Sequence, residues 1–213
     1  MKISVLCSSQ NHPIYSYLKK WCFDKELKHT VELKQSKNDL SGGDLLFLIS
    51  CSEIINSEIR DRYIKTLVIH ASDLPEGRGW SPHIWQILEG KNDIVVTLLE
   101  AEDQVDSGAI WDQRHLNLEG HELYEEINLA LFKLELELMD YAVDNFSKVI
   151  PRIQDARKPT FYRRRRPDDS RIDPDKSFSE QFDLLRVADF ERFPAFFDLR
   201  GRRYIIKIMK DTK

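Results

Sequence analysis

A chain of 213 residues, 41% of them hydrophobic, is long enough for one α/β domain with a small appendage and has the apolar content for a real core. Its 36 acidic residues against 32 basic ones give a formal charge of −4, which argues against a nucleic-acid binder, since neutralising phosphates needs surplus Lys and Arg on one face. Cys7, Cys22 and Cys51 form no CxxC pair, and no stretch approaches a signal-peptide core or a membrane span, so a cytoplasmic protein with buried free thiols and no membrane contact is expected.

In chain order, "KISVLCSS" reads as a short buried strand. Ile14, Tyr17, Leu18 and Trp21 then recur at helical spacing. "HTVELKQ" fits a second strand, and "GGDLLFLIS" is a turn leading into an apolar run that suits a central parallel strand. "SEIINSEIRDRY" reads as a short helix with Ser52 as its N-cap. "KTLVIH" is another buried strand, ending on His70. "SPHIWQILEG" follows as a helix capped by Ser81, with Pro82 first and Gly90 closing it. "DIVVTLLEA" is a strand, and "VDSGAIWDQRHLNL" starts with a turn and then alternates. Leu123, Ile127, Leu131, Leu134 and Leu138 form one stripe of a long amphipathic helix. The pattern breaks at "PRIQDARKPT", read as a linker, so residues 1–150 are expected to form the main domain and 151–213 a linker with a small extension. The extension is predicted to hold a helix at "SFSEQFDLLRVA" and two strands that turn at Gly201. This order implies a Rossmann-like α/β fold, an open and mainly parallel sheet with helices on both faces, plus a short β-rich C-terminal piece.

In such sheets ligands bind at the carboxyl ends of the strands, where His70 is expected. "HASDLPEGRGWSP" either only turns the chain or holds His70 beside a reacting group. Its glycines permit close approach of a substrate, and the following helix start favours an anion, so Arg78, Gly79, Trp80 and Ser81 are candidate substrate contacts. Trp80 can stack on a sugar or base, while Trp85 reads as core. Asp106 opens a "DSG" turn that could bring a carboxylate to the same edge and orient His70, making a pair able to move a proton. "RRRR" at 163–166 is followed at once by Asp168, Asp169 and Asp173, so salt-bridged packing of the extension is expected there rather than a nucleic-acid patch.

"HASDLPEGRGWSP" followed by "VDSGAI" resembles the signature of folate-dependent formyltransferases, which include methionyl-tRNA, glycinamide ribonucleotide and sugar N-formyltransferases. The matching residues are His70, Ser72, Leu74, Pro75, Gly79, Pro82, Asp106 and Gly108. "YRRRRPDDSRID" and the segment after it resemble the extension of the sugar enzymes. The resemblance implies transfer of a formyl group from N10-formyltetrahydrofolate to a primary amine, with no metal. His70 would stabilise the oxyanion and carry a proton, Asp106 would orient His70 and help deprotonate the amine, and Ile54, Ile55, Glu102 and Val105 would cradle the pterin. The wording of the histidine loop is most similar to enzymes of pseudaminic acid-type pathways. The implied acceptor is a nucleotide-linked 4-amino-4,6-dideoxy sugar, with no nucleic acid as partner and a homodimer left open. Other readings are an aminoacyl-tRNA or carrier-bound amino acid as acceptor, or a non-catalytic homologue. The last arises because Val68 stands where the family has its catalytic asparagine, whose amide holds the formyl oxygen. Ser72 or a backbone N–H is the expected substitute donor.

Overall fold

The computed structural model describes residues 1–211. In chain order its elements are β1 (Lys2–Leu6), α1 (Tyr15–Lys25), β2 (Thr30–Lys34), β3 (Gly43–Leu48), α2 (Ser57–Arg60), β4 (Tyr63–His70), β5 (Arg78–Gly79), α3 (Pro82–Leu88), β6 (Asp93–Glu100), β7 (Ile110–Asn117), α4 (Tyr124–Asp144), β8 (Phe161–Tyr162), α5 (Phe182–Arg186), β9 (Ala195–Leu199) and β10 (Arg202–Ile206). Six strands form one sheet in the order β2-β1-β3-β4-β6-β7. The first four are parallel, and β6 and β7 are each antiparallel to their neighbour.

The central strands are near-continuous apolar runs because both faces are covered. On one face Ile3, Val5, Leu45, Phe47 and Leu67 pack with α1, α3 and α4. Trp21 of α1 donates its indole N–H to Asp140 of α4 at 2.6 Å, which ties two of these helices together. On the other face Leu46 and Leu48 pack with Ile55 and Ile59 around the short α2. Thinner cover on that side leaves room for loops, and the site lies there. The cap of α2 is Asn56, whose side chain accepts the Ile59 N–H, and not Ser52, because the helix starts four residues later than its sequence pattern implied.

Among the described residues no helix is long and apolar enough to cross a membrane. The segment read as a linker is bound down along its length. Arg152 forms a bridge to Ile110, exchanging N–H···O bonds of 2.9 and 2.7 Å, and β8 pairs parallel to β5. Beyond it, β9 and β10 make the expected hairpin, with Gly201 in the left-handed region at the turn. The helix before them is shorter than expected. Its Arg186 is wholly buried, bonded to Asp183 and to Asn92 of the main sheet's flank at 2.6 Å each.

Candidate active site

His70 closes β4 and is 7% exposed. Its Nε2 lies 2.8 Å from the carbonyl oxygen of Gly77. A carbonyl only accepts, so Nε2 carries the hydrogen and Nδ1 is the nitrogen left to take or release a proton. Nδ1 faces the Oδ2 of Asp106 at 3.6 Å, and both side chains are shielded from water. That separation is a few tenths of an ångström beyond a hydrogen bond, so a small movement closes it once Nδ1 has taken a proton to donate.

Asp106 reaches His70 by a route the sequence order did not disclose. Because β6 runs antiparallel to β4, its end at Glu100 lies beside Leu67, and Thr97 is the residue opposite His70. A loop at the end of β6 would therefore sit about 10 Å back along β4, at ~3.3 Å per residue. The 101–109 loop folds back across that distance and brings Asp106 to the histidine. Asp106 adopts φ +55°, a left-handed conformation that Asp tolerates better than most residues. Gly108 is obligatory in this turn, since a Cβ there would meet the Glu100 carbonyl at 1.9 Å.

The 71–79 loop serves both partners. Its Gly77 carbonyl takes the His70 ring and its Gly79 N–H donates to Asp106 Oδ2 at 2.9 Å. The loop is itself fixed from several sides. Gln86 donates to the Ala71 carbonyl, Thr97 to the Ser72 carbonyl, and Arg157 pairs with Asp73 and Glu76. Strand alternation puts Val68 on the same side of β4 as His70. Val68 packs against Leu74, Leu99 and Ile110, so an apolar surface occupies the position where the resemblance implies an asparagine. Ser72 is buried, and its hydroxyl has no hydrogen-bond partner.

The predicted contact residues divide. Glu102 lines an open cleft of about 430 Å³ on the flank of the Asp106 loop, together with Gln104, Ser107, Gly108, Ile153 and Gln154. Val105 and Ile54 are exposed, whereas the Ile55 side chain belongs to the packed cluster around α2. Arg78 points inward at 7% exposure and bonds Gln154. The closeness that Gly79 permits is to the chain itself: at φ +102° a Cβ would lie 2.4 Å from the Tyr162 carbonyl of β8. Trp80 is 40% exposed, with the Arg164 guanidinium 4.9 Å from its ring centre. Ser81 caps α3 from a left-handed conformation (φ +47°) and makes no side-chain cap bond. Trp85 is not core. It stacks on Tyr162 at 6.3 Å, carries Arg163 over its ring at 4.8 Å and donates to the Arg163 carbonyl. The arginine run meets the main domain through Arg163 over Trp85 and Arg164 over Trp80, while Arg163 on Asp169 and Arg165 on Ser170 tie the extension to itself.

Sequence reasoning missed Gln154, which bridges Arg78 and the Asp106 loop from inside the supposed linker. It also missed His83 and His12. Burial, then the neighbouring His12, His70 and Arg165, lowers His83 to about 4, and burial, then Arg192, lowers His12 to about 4. Both are therefore neutral imidazoles at pH 7, and His83 lies close enough to His70 to feel its charge. Among the described residues no group of three or more His, Cys, Asp or Glu is gathered that could hold a metal ion.

Comparison with known proteins places this geometry in a lineage. Methionyl-tRNA formyltransferases of several bacteria match the sequence; that of Malacoplasma penetrans is 26% identical over 183 residues, 81% of this chain and 57% of the relative. The chain thus spans little more than half the length of that relative. Three solved structures share the fold. A methionyl-tRNA formyltransferase from Clostridium thermocellum superposes with TM-score 0.83 at 24% identity, over 100% of this chain and 95% of that one. A sugar N-formyltransferase from Shewanella sp. does so at 0.73 and 16%, over 100% and 99%. HypX from Aquifex aeolicus, solved with tetrahydrofolic acid, does so at 0.74 and 21%, over 98% and 37%. The profile of the formyl transferase family matches residues 4–143, from β1 to the end of α4 and including both His70 and Asp106, and the chain belongs to that family.

Proposed function

We propose that this protein moves a formyl group from N10-formyltetrahydrofolate to the primary amine of a nucleotide-linked 4-amino-4,6-dideoxy sugar. The observation that carries the reading is the His70–Asp106 pair, shielded from water, 3.6 Å apart and held by one loop. The amine nitrogen attacks the formyl carbon, the bond from that carbon to N10 breaks, and the amine proton passes through the pair to N10. With Nε2 fixed on Gly77, the proton moves at Nδ1, and Asp106 balances the charge that forms there. The donor would lie in the cleft beside the Asp106 loop, where Glu102 and Gln104 offer polar groups and Ile153 an apolar one. Ser72, whose buried hydroxyl has no partner, would supply the hydrogen bond to the formyl oxygen that the family asparagine gives and Val68 cannot.

Support for a sugar acceptor comes from the extension. Arg163 is engaged with Asp169 and Trp85, Arg164 with Trp80 and Arg165 with Ser170, so three of the four arginines of the run take part in packing. A sugar N-formyltransferase and a methionyl-tRNA formyltransferase both share the fold over the whole chain, so the fold does not choose between the two acceptors. One observation favours a second reading, in which the acceptor is an aminoacyl-tRNA: the sequence matches to methionyl-tRNA formyltransferases. The test is release of tetrahydrofolate from N10-formyltetrahydrofolate with a panel of 4-amino-4,6-dideoxy sugar nucleotides and with charged initiator tRNA in parallel. Turnover on a sugar nucleotide that vanishes in His70→Ala is expected. Turnover on the tRNA alone would replace the acceptor, and turnover untouched by His70→Ala would overturn the mechanism.

A further inference from the structure

The loop that carries Asp106 has no regular structure, yet the carboxylate must be held to within tenths of an ångström of His70. Gln154 is placed to hold it. The Arg78 guanidinium donates to Gln154 Oε1 at 2.7 Å. Arginine has no acceptor, so this contact fixes which end of the amide is oxygen. The Nε2 end then has one orientation left, and its two hydrogens go to the backbone carbonyls of Asp106 and Gly108, at 2.9 Å each. Those two carbonyls flank the turn in which Asp106 takes its left-handed φ. Gln154 is itself set by the bridge two residues earlier, where Arg152 pairs with Ile110 at the start of β7. Arg78 is buried, and its backbone N–H is bonded to Thr160. Both hydrogens of the Gln154 amide and one lone pair of its oxygen are therefore used inside the protein, and no N–H is left for a ligand.

We infer that Gln154, locked by Arg78, is a positioning residue that sets Asp106 against His70 and acts on formyl transfer only through that carboxylate. The inference rests on the reading of His70 and Asp106 as the proton-moving pair. Because Gln154 also lines the cleft, a donor seated there would lie against the residue that sets the carboxylate.

The test is a double-mutant cycle on formyl transfer with Gln154→Met, which keeps the length of the side chain and removes its hydrogen bonds, and Asp106→Asn. The Met variant is expected to lose more than about tenfold in kcat, with KM for the folate donor changed less than about threefold. In the double variant kcat should stay within about threefold of Asp106→Asn alone, because a positioning residue has nothing left to position. Losses that multiply, or a kcat unchanged in Gln154→Met, would overturn the inference. Should Gln154→Met fail to fold, Gln154→Glu, which still accepts from Arg78 but has no N–H for the two carbonyls, is judged by the same criteria. A second readout needs no turnover: the Gly79 amide, which donates to Asp106, should exchange with solvent at least tenfold faster in either variant. If the wild type transfers no formyl group, the functional reading fails, while the exchange rate still decides whether Gln154 holds Asp106. An unchanged Gly79 exchange rate would overturn the positioning role.

Discussion

Replacing Asp106 by Asn should separate catalysis from stability, and the structure sets the size of each effect. Asp106 Oδ2 accepts the Gly79 N–H at 2.9 Å, and the Asn amide oxygen can take over that bond. Asn also tolerates the left-handed backbone at φ +55°. What is lost in stability is the difference between a charged and a neutral acceptor, about 1 kcal/mol. In a chain of this size that lowers the melting temperature by roughly 2–4 °C. The catalytic loss is much larger, because an amide opposite Nδ1 can neither take the amine proton nor balance charge on the ring. Positioned acid–base catalysis contributes typically about 10²–10⁴-fold, so kcat should fall by about 3–5 kcal/mol of barrier. Asp106→Ala should lose as much activity and more stability, since alanine at that φ adds about 1–2 kcal/mol of strain. The assay is tetrahydrofolate release at saturating donor, with thermal unfolding measured on the same preparations. A folded Asp106→Asn protein with kcat within about threefold of wild type would refute the assignment of the pair.

Other substitutions probe the remaining parts of the site. Ser72→Ala removes a buried hydroxyl that has no partner, so stability should hold or rise slightly while kcat falls about 10²-fold if that hydroxyl serves the oxyanion; an unchanged kcat would dismiss it. Gly79→Ala would drive a Cβ to 2.4 Å from the Tyr162 carbonyl at φ +102°, and should cost roughly 3 kcal/mol in chemical denaturation by parting β5 from β8. Glu135 is pushed up by burial to about 8, and its Oε2 has no partner. Its folded form holds a proton that the unfolded chain releases near pH 4.5, so its contribution to stability is complete below that pH and is lost as pH rises through about 8. Glu135→Gln should therefore match wild type near pH 4 and gain on the order of 4–5 kcal/mol by pH 9 in urea unfolding; a pH-independent difference would contradict the burial.

The strands and the long helix were legible because burial imposes a period on the sequence. β1, β3 and β4 are apolar runs, and α4 carries its apolar stripe for twenty-one residues. His70 was legible for the same reason, as the polar residue that ends such a run. What the periodicity does not carry is direction. The residues of "DIVVTLLEA" would look the same in a parallel strand, yet β6 is antiparallel to β4, and the route of the Asp106 loop depends on it. Nor does the sequence say what a glycine makes room for. Gly79 reads as an approach for a substrate, and the structure gives that space to Tyr162 of the same chain. Gln154 carried no signal of its own, because a lone polar residue in a charged stretch acquires a role only from the carbonyls it meets.

Val68 stands where the resemblance implies an asparagine, and the packing around it is apolar. An asparagine at that position would need partners for its amide, and the neighbours are Leu74, Leu99 and Ile110. Valine instead joins that cluster, which seats Leu74 of the histidine loop on the sheet, so the exchange favours the loop's anchoring while removing a donor. The pair itself does not depend on residue 68: His70 is held by Gly77, and Asp106 by Gly79 at its side chain and Gln154 at its backbone. Val68→Asn is therefore expected to leave the pair in place and to cost stability, about 1 kcal/mol for an amide in a partly buried apolar setting. If the lost donor limits the reaction, kcat should rise at least tenfold despite that cost. A rate that does not rise, in a variant whose fold is intact and whose donor affinity is unchanged, would mean that the formyl oxygen is already held from elsewhere, with the unpartnered Ser72 hydroxyl the first group to remove in that background.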